Sequence, residues 1–464
     1  MAVGAAEMVW GQLHERLAGV VGSKYVSVDG DVLYGRSVDH TGRYVGAASA
    51  LVRPGSACEI AQVLRVCRDA GAYVTIQGGR TSLVAGTVPE HDDVLLSTER
   101  LNSIGEVDST ERRVTAGGGA TLAAVQRAAA AAGLAFGVDL GSRESATLGG
   151  MASTNAGGLR TVRYRNMGDQ VIGLEAVLPD GSVIRRHSQV RSDNTGYNLP
   201  RLFVGAEGTL GVITALDLRL HPIPVHRVTA VCGFDDLAPL IQAGLIFRDH
   251  DSIAALELID GRAAALAADR LGVSAPVPGR WLLLVELAGD VDQTERLASV
   301  LDKVIERGEP AVGIDVAAQQ RLWRARESIA EVVGLFGAPL KFDVSLPLAA
   351  LVGFAQDSAA LIAQHAPAAI PLLFGHLGEG NLHLNVLRCE LGDEHEHLLY
   401  SAMMDLIAEC GGNVSSEHGV GTRKRDYLGM SRDDADIAGM RTIKTAFDPS
   451  GYLNPAVLFP SPAA

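Results

Sequence analysis

Ala146-Thr147-Leu148-Gly149-Gly150-Met151-Ala152-Ser153-Thr154-Asn155-Ala156-Gly157-Gly158 is the stretch on which the fold turns. Four glycines, three hydroxyls and one amide in so short a span make a poor helix or strand. They suit a backbone pressed against a ligand. Asp139-Leu140-Gly141-Ser142 leads into this stretch, and Gly205-Ala206-Glu207-Gly208-Thr209-Leu210-Gly211-Val212-Ile213 later returns glycine beside an apolar strand. Upstream, Gln77-Gly78-Gly79-Arg80-Thr81-Ser82 follows an extended segment and matches neither GxGxxG nor Walker A. Its physical logic is similar all the same. Paired glycines permit positive φ, so successive N–H groups can converge on an anion such as a diphosphate, with Thr81, Ser82 and Arg80 adding donors and charge.

A second constellation lies far downstream. Gly375-His376-Leu377-Gly378-Glu379-Gly380-Asn381-Leu382-His383-Leu384-Asn385 places two histidines around a glycine-rich turn, and Ser416-Glu417-His418-Gly419 follows later. Pro371–Gly375 and Leu382–Leu387 read as strands of a hairpin, so His383 and Asn385, two apart, share a face. Histidines in such places often serve only as hydrogen-bonded structural residues, and Glu379 reads as a solvated turn residue. Two imidazoles and one carboxylate are, however, a ligand set that holds a catalytic divalent metal with a position open for substrate. His418 is then free to move protons. A metal site and a dinucleotide site in one chain suggest a redox enzyme.

At 464 residues the chain suits two or three domains. A net charge of −14 argues against nucleic-acid binding, which needs a basic stripe. Five scattered cysteines without a CxxC pair indicate neither a disulfide framework nor an iron–sulfur cluster, and point to a reduced, cytoplasmic compartment. Met1–Gly19 reads as an amphipathic helix and not a signal peptide. No run approaches the roughly 20 apolar residues of a membrane span, so a membrane role would be peripheral, at the inner face.

Residues 1–44 are expected to form an N-terminal helical segment. Residues 45–100 alternate strand and helix, and 101–222 form a second unit, with helix Leu122–Ala132 stopped by Gly133 and a turn at Pro179-Asp180-Gly181. His221-Pro222-Ile223-Pro224 is expected to be a linker. An α+β domain follows over 223–416, and 417–464 is expected to be mostly helical, completing the site. Trp323–Glu327 is helical in composition and Lys341–Ser345 strand-like, and their cations, Arg326 and Lys341, are candidate anion clamps.

Taken together, these segments, with Asn194-Thr195-Gly196-Tyr197-Asn198-Leu199 and Phe447–Pro455, resemble the vanillyl-alcohol oxidase / p-cresol methylhydroxylase flavoprotein superfamily. Within it the chain resembles the D-2-hydroxyacid dehydrogenase branch: D-lactate dehydrogenases, D-2-hydroxyglutarate dehydrogenase and the glycolate oxidase flavoprotein subunit. The resemblance implies an α+β fold, with a two-subdomain FAD-binding domain of the p-cresol methylhydroxylase type and a substrate domain built on an antiparallel sheet. It implies FAD contacts from Gln77, Gly78, Gly79, Arg80, Thr81, Ser82 and Gly86, from Leu140, Gly141, Ser142, Thr147, Gly149, Gly150, Thr154, Asn155 and Gly157, and from Glu207, Gly208, Gly211, Val212, Ile213 and Asn454. Covalent attachment in parts of the superfamily uses a His or Cys near the first glycine loop; Arg80 stands there instead, so the FAD is expected to be non-covalent.

The same resemblance implies that His376, His383 and Glu417 bind a divalent metal, usually zinc, that His418 is the base, and that Arg326, Lys341 and Asn385 contact substrate. The implied reaction oxidises a D-2-hydroxy acid to the 2-oxo acid by hydride transfer to flavin N5, with electrons passed to an external acceptor such as an electron-transfer flavoprotein, quinone or cytochrome. Hydroxyglutarate enzymes carry a threonine where this chain has Ala330, which puts a second-carboxylate specificity in doubt. An oxygen-using oxidase, or a flavoprotein subunit of a glycolate oxidase-like complex, keeps the same residues; a metallohydrolase leaves the glycine segments unexplained. A homodimer is compatible with the family.

Overall fold

The computed structural model describes residues 2–187, 190, 193–305 and 308–460; Met1 and 461–464, the outermost residues of the expected terminal segments, lie outside them. Three sheets organise the chain. In the first, Val26–Ser27, Ala48–Val52, Asp93–Ser97 and Val74–Gln77 lie side by side in that order. The last three run parallel, and parallel neighbours need a crossover. Helix Ala57–Asp69 supplies one: Ser56 caps its start by accepting from the Glu59 N–H at 3.1 Å, and Ile60, Val63, Leu64 and Cys67 form its buried stripe.

The second sheet is antiparallel, in the order Arg113–Gly117, Val212–Pro222, Val171–Val177, Val183–Arg186, with Leu134–Phe136 paired to the far end of Val212–Pro222. The helix read at Leu122–Ala132 spans Leu122–Ala131 and ends at Gly133, whose φ of 72° a Cβ would disfavour. The expected linker is shorter than its prolines suggest. His221 and Pro222 still pair with Ala135 and Leu134 at the strand end, where a missing N–H costs least, so only Ile223–Val225 connects to the next strand.

The third sheet positions the site. It is antiparallel, in the order Ala311–Gly313, His226–Phe234, Trp281–Gly289, Ile253–Asp260, Ile370–His376, Asn381–Leu387, Leu340–Ser345. Side chains alternate faces along each strand. Leu256, Leu258, Leu283, Val285, Leu373, Leu384 and Phe342 pack into one core with helices Leu237–Arg248, Leu351–His365 and Asp393–Glu409. Ala255, Ile259, Leu282, Leu284, Leu372 and Phe374 face the other way, under helices Gly261–Leu271 and Val316–Gly334. That second face turns polar at one end, where alternation puts Glu257, His376, His383, Asn385, Lys341 and Asp343.

The C-terminal segment departs from expectation. Beyond residue 417 it holds one α-helix, Asp434–Phe447, and a short 3-10 turn, Arg425–Met430. Pro449, Gly451 and Pro455 oppose helix, and the backbone there is used elsewhere. Val74 N–H donates to the Tyr452 carbonyl at 2.9 Å, Asn454 N–H to the Val74 carbonyl at 2.8 Å, and Asn454 Oδ1 accepts from Ile76 N–H at 2.8 Å. The segment exchanges backbone hydrogen bonds with the edge of the first sheet, which a helix, its own groups bonded internally, could not do. No helix among the described residues is long and apolar enough to cross a membrane.

Candidate active site

A continuous cavity of about 620 Å³ runs from the glycine-rich segments to the polar end of the seven-stranded sheet. Small-molecule and cofactor sites occupy roughly 300–1,000 Å³. Its walls include Gly78, Gly79, Arg80, Thr81, Ser82 and Gly86, then Leu140, Gly141, Ser142, Thr147, Gly149, Gly150, Thr154 and Gly157, then Glu207, Gly208, Gly211, Val212, Ile213 and Asn454. A Cβ on Gly150 would meet only the Thr147 hydroxyl, at 3.2 Å, so any longer side chain there would enter the cavity. The wall stays open because that residue carries none. The cavity's histidines are His376, His383 and His418, and among the described residues no cysteine lines it.

Two residues of the expected cofactor set do not line the cavity. Gln77 is buried behind it, with Nε2 donating to the carbonyls of Arg36 and Thr87 at 2.8 and 2.9 Å. Asn155 has φ 53°, and its Oδ1 accepts from Gly168 N–H at 2.8 Å. Both brace the loops from outside. Their amides satisfy backbone groups that turning loops would otherwise bury unpaired.

At the far end the hairpin Ile370–His376 and Asn381–Leu387 delivers His376 and His383, with ring centroids 5.3 Å apart and planes at 90°. Glu417 arrives from the C-terminal segment, its Oε2 3.5 Å from His376 Nε2. Ligand atoms of His376, His383 and Glu417 all lie within 4.8 Å of one another, close enough to hold one ion. Two imidazoles and a carboxylate, with coordination left over, fit a catalytic zinc-type site. A Cβ on Gly157 would come within 2.6 Å of Glu417 Oε1, so glycine wall and carboxylate touch. His418 stacks on His383 with centroids 5.5 Å apart and planes 2° apart.

The sequence reading passed over two buried carboxylates that organise this end. Glu257 lies directly across from His376 in the sheet; its Oε1 is 2.7 Å from His376 Nδ1, and its Oε2 accepts from Arg326 Nε at 2.8 Å. Asp343 lies across from His383, and its Oδ2 accepts from the N–H groups of Ser416, Glu417 and His418 at 3.0, 2.9 and 3.0 Å. Glu257 breaks the apolar run Ile253–Ile259, which was the available signal, since a buried charge needs partners; Asp343 sits in an alternating strand beside Lys341 and gave none.

These contacts set the ionisation of the site. Burial alone would push Glu417 up, but His376 holds it down at about 2. Burial would likewise neutralise His376, yet Glu257 and Glu417 raise it well above the usual imidazole value. Burial pushes His418 down to about 4, against the pull of Asp343, so it is neutral at physiological pH.

Arg326, Ala330, Lys341 and Asn385 line the same end. Arg326 occupies the apolar stripe of its helix, four residues after Leu322 and three before Ile329, and is 5.0 Å from the centre of the Phe374 ring. Burial lowers the Lys341 ammonium, with Asp39 opposing.

Residues 48–186 match a family model described as an FAD binding domain, and 223–458 match the C-terminal domain of FAD linked oxidases. This chain belongs to the FAD-linked oxidases, a family of flavin-dependent oxidoreductases. It is 34% identical to the mitochondrial D-2-hydroxyglutarate dehydrogenase of Bos taurus over 94% of this chain and 82% of that one. It is 32% identical to the D-2-hydroxyglutarate dehydrogenase of Stutzerimonas stutzeri, over 94% of this chain and 96% of that one. The crystal structure of p-cresol methylhydroxylase superposes with a TM-score of 0.80 at 17% identity, covering 98% and 97% of the two chains, and shares the fold.

Proposed function

We propose that this protein oxidises a D-2-hydroxy acid to the 2-oxo acid, passing the electrons to an external acceptor protein or quinone. The observation that carries the reading is the meeting of glycine walls and the His376/His383/Glu417/His418 cluster in one cavity. When bound, non-covalent FAD supplies the hydride acceptor at N5, and a divalent metal held by His376, His383 and Glu417 supplies Lewis-acid polarisation of the hydroxyl. His418 takes the hydroxyl proton as a neutral base. Its Nδ1 faces Asp343 Oδ2 at 3.8 Å, which leaves Nε2 as the accepting atom.

The Lys341 ammonium makes no hydrogen bond or ion pair within the protein among the described residues, whereas Arg326 spends Nε on Glu257. Lys341 is therefore the cation for the acid's carboxylate, with Arg326 holding the local potential positive and Asn385, across the sheet from Lys341, orienting the substrate. The names of the relatives favour a dicarboxylic acid such as D-2-hydroxyglutarate. Ala330, which lines the cavity without offering a hydroxyl, favours a shorter acid such as D-lactate. Units divided near 44, 222 and 416 share the work: flavin on the second, substrate and metal on the third, with the last closing the site.

Anaerobic flavin bleaching decides the class of substrate. The yellow protein is mixed with the D and L forms of 2-hydroxyglutarate and lactate, and absorbance near 450 nm is followed. One D acid should bleach the flavin, and metal chelation should stop it. Bleaching by none of the four, or equal rates for D and L forms, would sink the reading. Rapid peroxide formation in air would reassign the acceptor to oxygen.

A further inference from the structure

We propose that Asp343 and Glu207 are positioning residues for the turn Ser416–Gly421: two buried carboxylates, one from each side of the cavity, grip its backbone and so aim Glu417 and His418. The inference rests on the metal and base roles proposed above for those two side chains. Asp343 Oδ2 accepts from the N–H groups of Ser416, Glu417 and His418, at 3.0, 2.9 and 3.0 Å. Glu207 Oε1 accepts from Val420 N–H and its Oε2 from Gly421 N–H, each at 2.8 Å. Five of the six amides in the turn therefore end on side-chain carboxylates.

The stretch also uses its carbonyls, Gly419 accepting from Ser415 Oγ at 2.6 Å, Val420 from Lys424 N–H at 3.0 Å and Gly421 from Leu458 N–H at 3.0 Å, but it is the carboxylates that take its amides. It lies in no helix or strand, and Gly419 and Gly421 have φ of 83° and 55°. Gly419 allows the close approach, since a Cβ there would stand 2.9 Å from Glu207 Cδ. A carboxyl group taking several amides fixes a loop in direction as well as place, and Glu207 does so with both oxygens although burial raises it to about 7.

The two grips come from different parts of the fold. Asp343 sits on strand Leu340–Ser345 of the seven-stranded sheet, with Lys424 Nζ 3.9 Å from Oδ2 as countercharge. Glu207 sits on the glycine wall, just before strand Val212–Pro222 of the second sheet, and its own carbonyl accepts from Asn454 Nδ2 at 2.8 Å. The turn spans the seam between cofactor wall and substrate sheet. Asp343 acts on the metal set a second time, since Oδ1 stands 3.6 Å from His383 Nδ1. Outer partners of metal ligands are worth about 10–100-fold in metal affinity.

The test uses the FAD-loaded full chain with two readouts. The first is amide hydrogen exchange at 416–421. Asp343→Ala should speed exchange at 416–418 by tenfold or more and leave 420 and 421 protected, while Glu207→Gln should do the reverse. The second is Zn²⁺ affinity measured against a chromophoric chelator, with Zn²⁺ alone as the probe. Both variants should bind Zn²⁺ about 10–100-fold more weakly. Asp343→Asn keeps an oxygen facing the three amides and should restore affinity to within a few-fold, so it and Glu207→Gln carry the test if the alanine variant does not fold. Wild-type exchange at the turn in both Asp343→Ala and Glu207→Gln would overturn the proposal. So would an asparagine variant as weak for Zn²⁺ as the alanine one. A wild-type protein that takes up no Zn²⁺ would sink the metal reading instead, and exchange at the turn would still decide the positioning.

Discussion

Glu257 shows how one buried side chain can decide the chemistry of its neighbour. It is 1% exposed, with Arg326 Nε at 2.8 Å on one oxygen and His376 Nδ1 at 2.7 Å on the other. By accepting a hydrogen bond from Nδ1–H it keeps that proton on Nδ1, so Nε2, the nitrogen that faces Glu417, is the one a metal would bind on displacing its proton. Carboxylate–histidine pairs of this kind orient metal ligands and raise their basicity. Arg326 has a matching duty, since a buried carboxylate needs a countercharge. In Glu257→Gln the amide can accept from one donor only and must turn its NH₂ toward the other. Removing one partner of a buried pair costs about 3–5 kcal/mol. The variant should melt several degrees lower and hold zinc about 10–100-fold more weakly while keeping its FAD. Calorimetry and metal analysis of the purified protein check this, and unchanged zinc affinity would remove Glu257 from the site.

At the scale of elements, what was legible followed from periodicity. The hairpin carrying His376 and His383 was readable because two apolar strands flank a turn with Gly378 and Gly380, and period two places His383 and Asn385 on one face. The same rule puts Glu257 and Asp343 on that face, but only once their strands are paired with the right neighbours. Those neighbours, His376 for Glu257 and His383 for Asp343, are 119 and 40 (383 − 343) residues away, and one sequence carries no register between distant strands. Segment 417–464 holds less helix than expected, because Gly419, Gly421, Pro449, Gly451 and Pro455 interrupt it and Tyr452–Asn454 pair with the edge at Val74 instead. The glycine stretch was legible as a wall because helix and strand propensities both fail there. Gln77 and Asn155 turn their side chains away from the cavity, since proximity in sequence does not say which side of a loop a side chain takes. Helix Leu148–Ser153 offers a direct probe of the wall. Gly150→Leu adds a side chain whose Cβ has a single neighbour, so the fold should survive within about 1 kcal/mol while the cavity is blocked. The expected result is a folded, colourless protein with wild-type far-ultraviolet dichroism. A variant that retains stoichiometric FAD would show that the cofactor does not occupy this wall.

Across the whole molecule, the cavity is the place where separate cores meet. Its lining runs from Ile76 through Ile213 to Arg326, Phe374 and Asn454, which belong to all three sheets, one helix and the C-terminal segment. Each sheet has its own apolar cluster, so each has the means to fold around its own core. Polar ties join them both in the interior and at the surface: Arg160 reaches Asp139 at 3.1 Å and Glu286 at 3.3 Å, Arg143 reaches Glu327 at 3.5 Å, and Glu207 reaches the 416–421 turn. A ligand that touches every wall then couples the units, because releasing it costs its binding free energy whichever unit opens first. At a free concentration one hundred times its dissociation constant, that contribution is about 2.7 kcal/mol. With Trp10 replaced by Phe the chain provides its own reporters, since the remaining two of its three tryptophans, Trp281 and Trp323, belong to the seven-stranded-sheet side while the glycine walls face FAD from the other. In the loaded protein, flavin release and tryptophan exposure should share one thermal midpoint, which should rise by several degrees as FAD is added in excess. Removing FAD should lower the tryptophan midpoint and broaden the transition. Two midpoints in the loaded protein, with tryptophan exposure preceding flavin release, would mean that the substrate sheet contributes nothing to holding the cofactor.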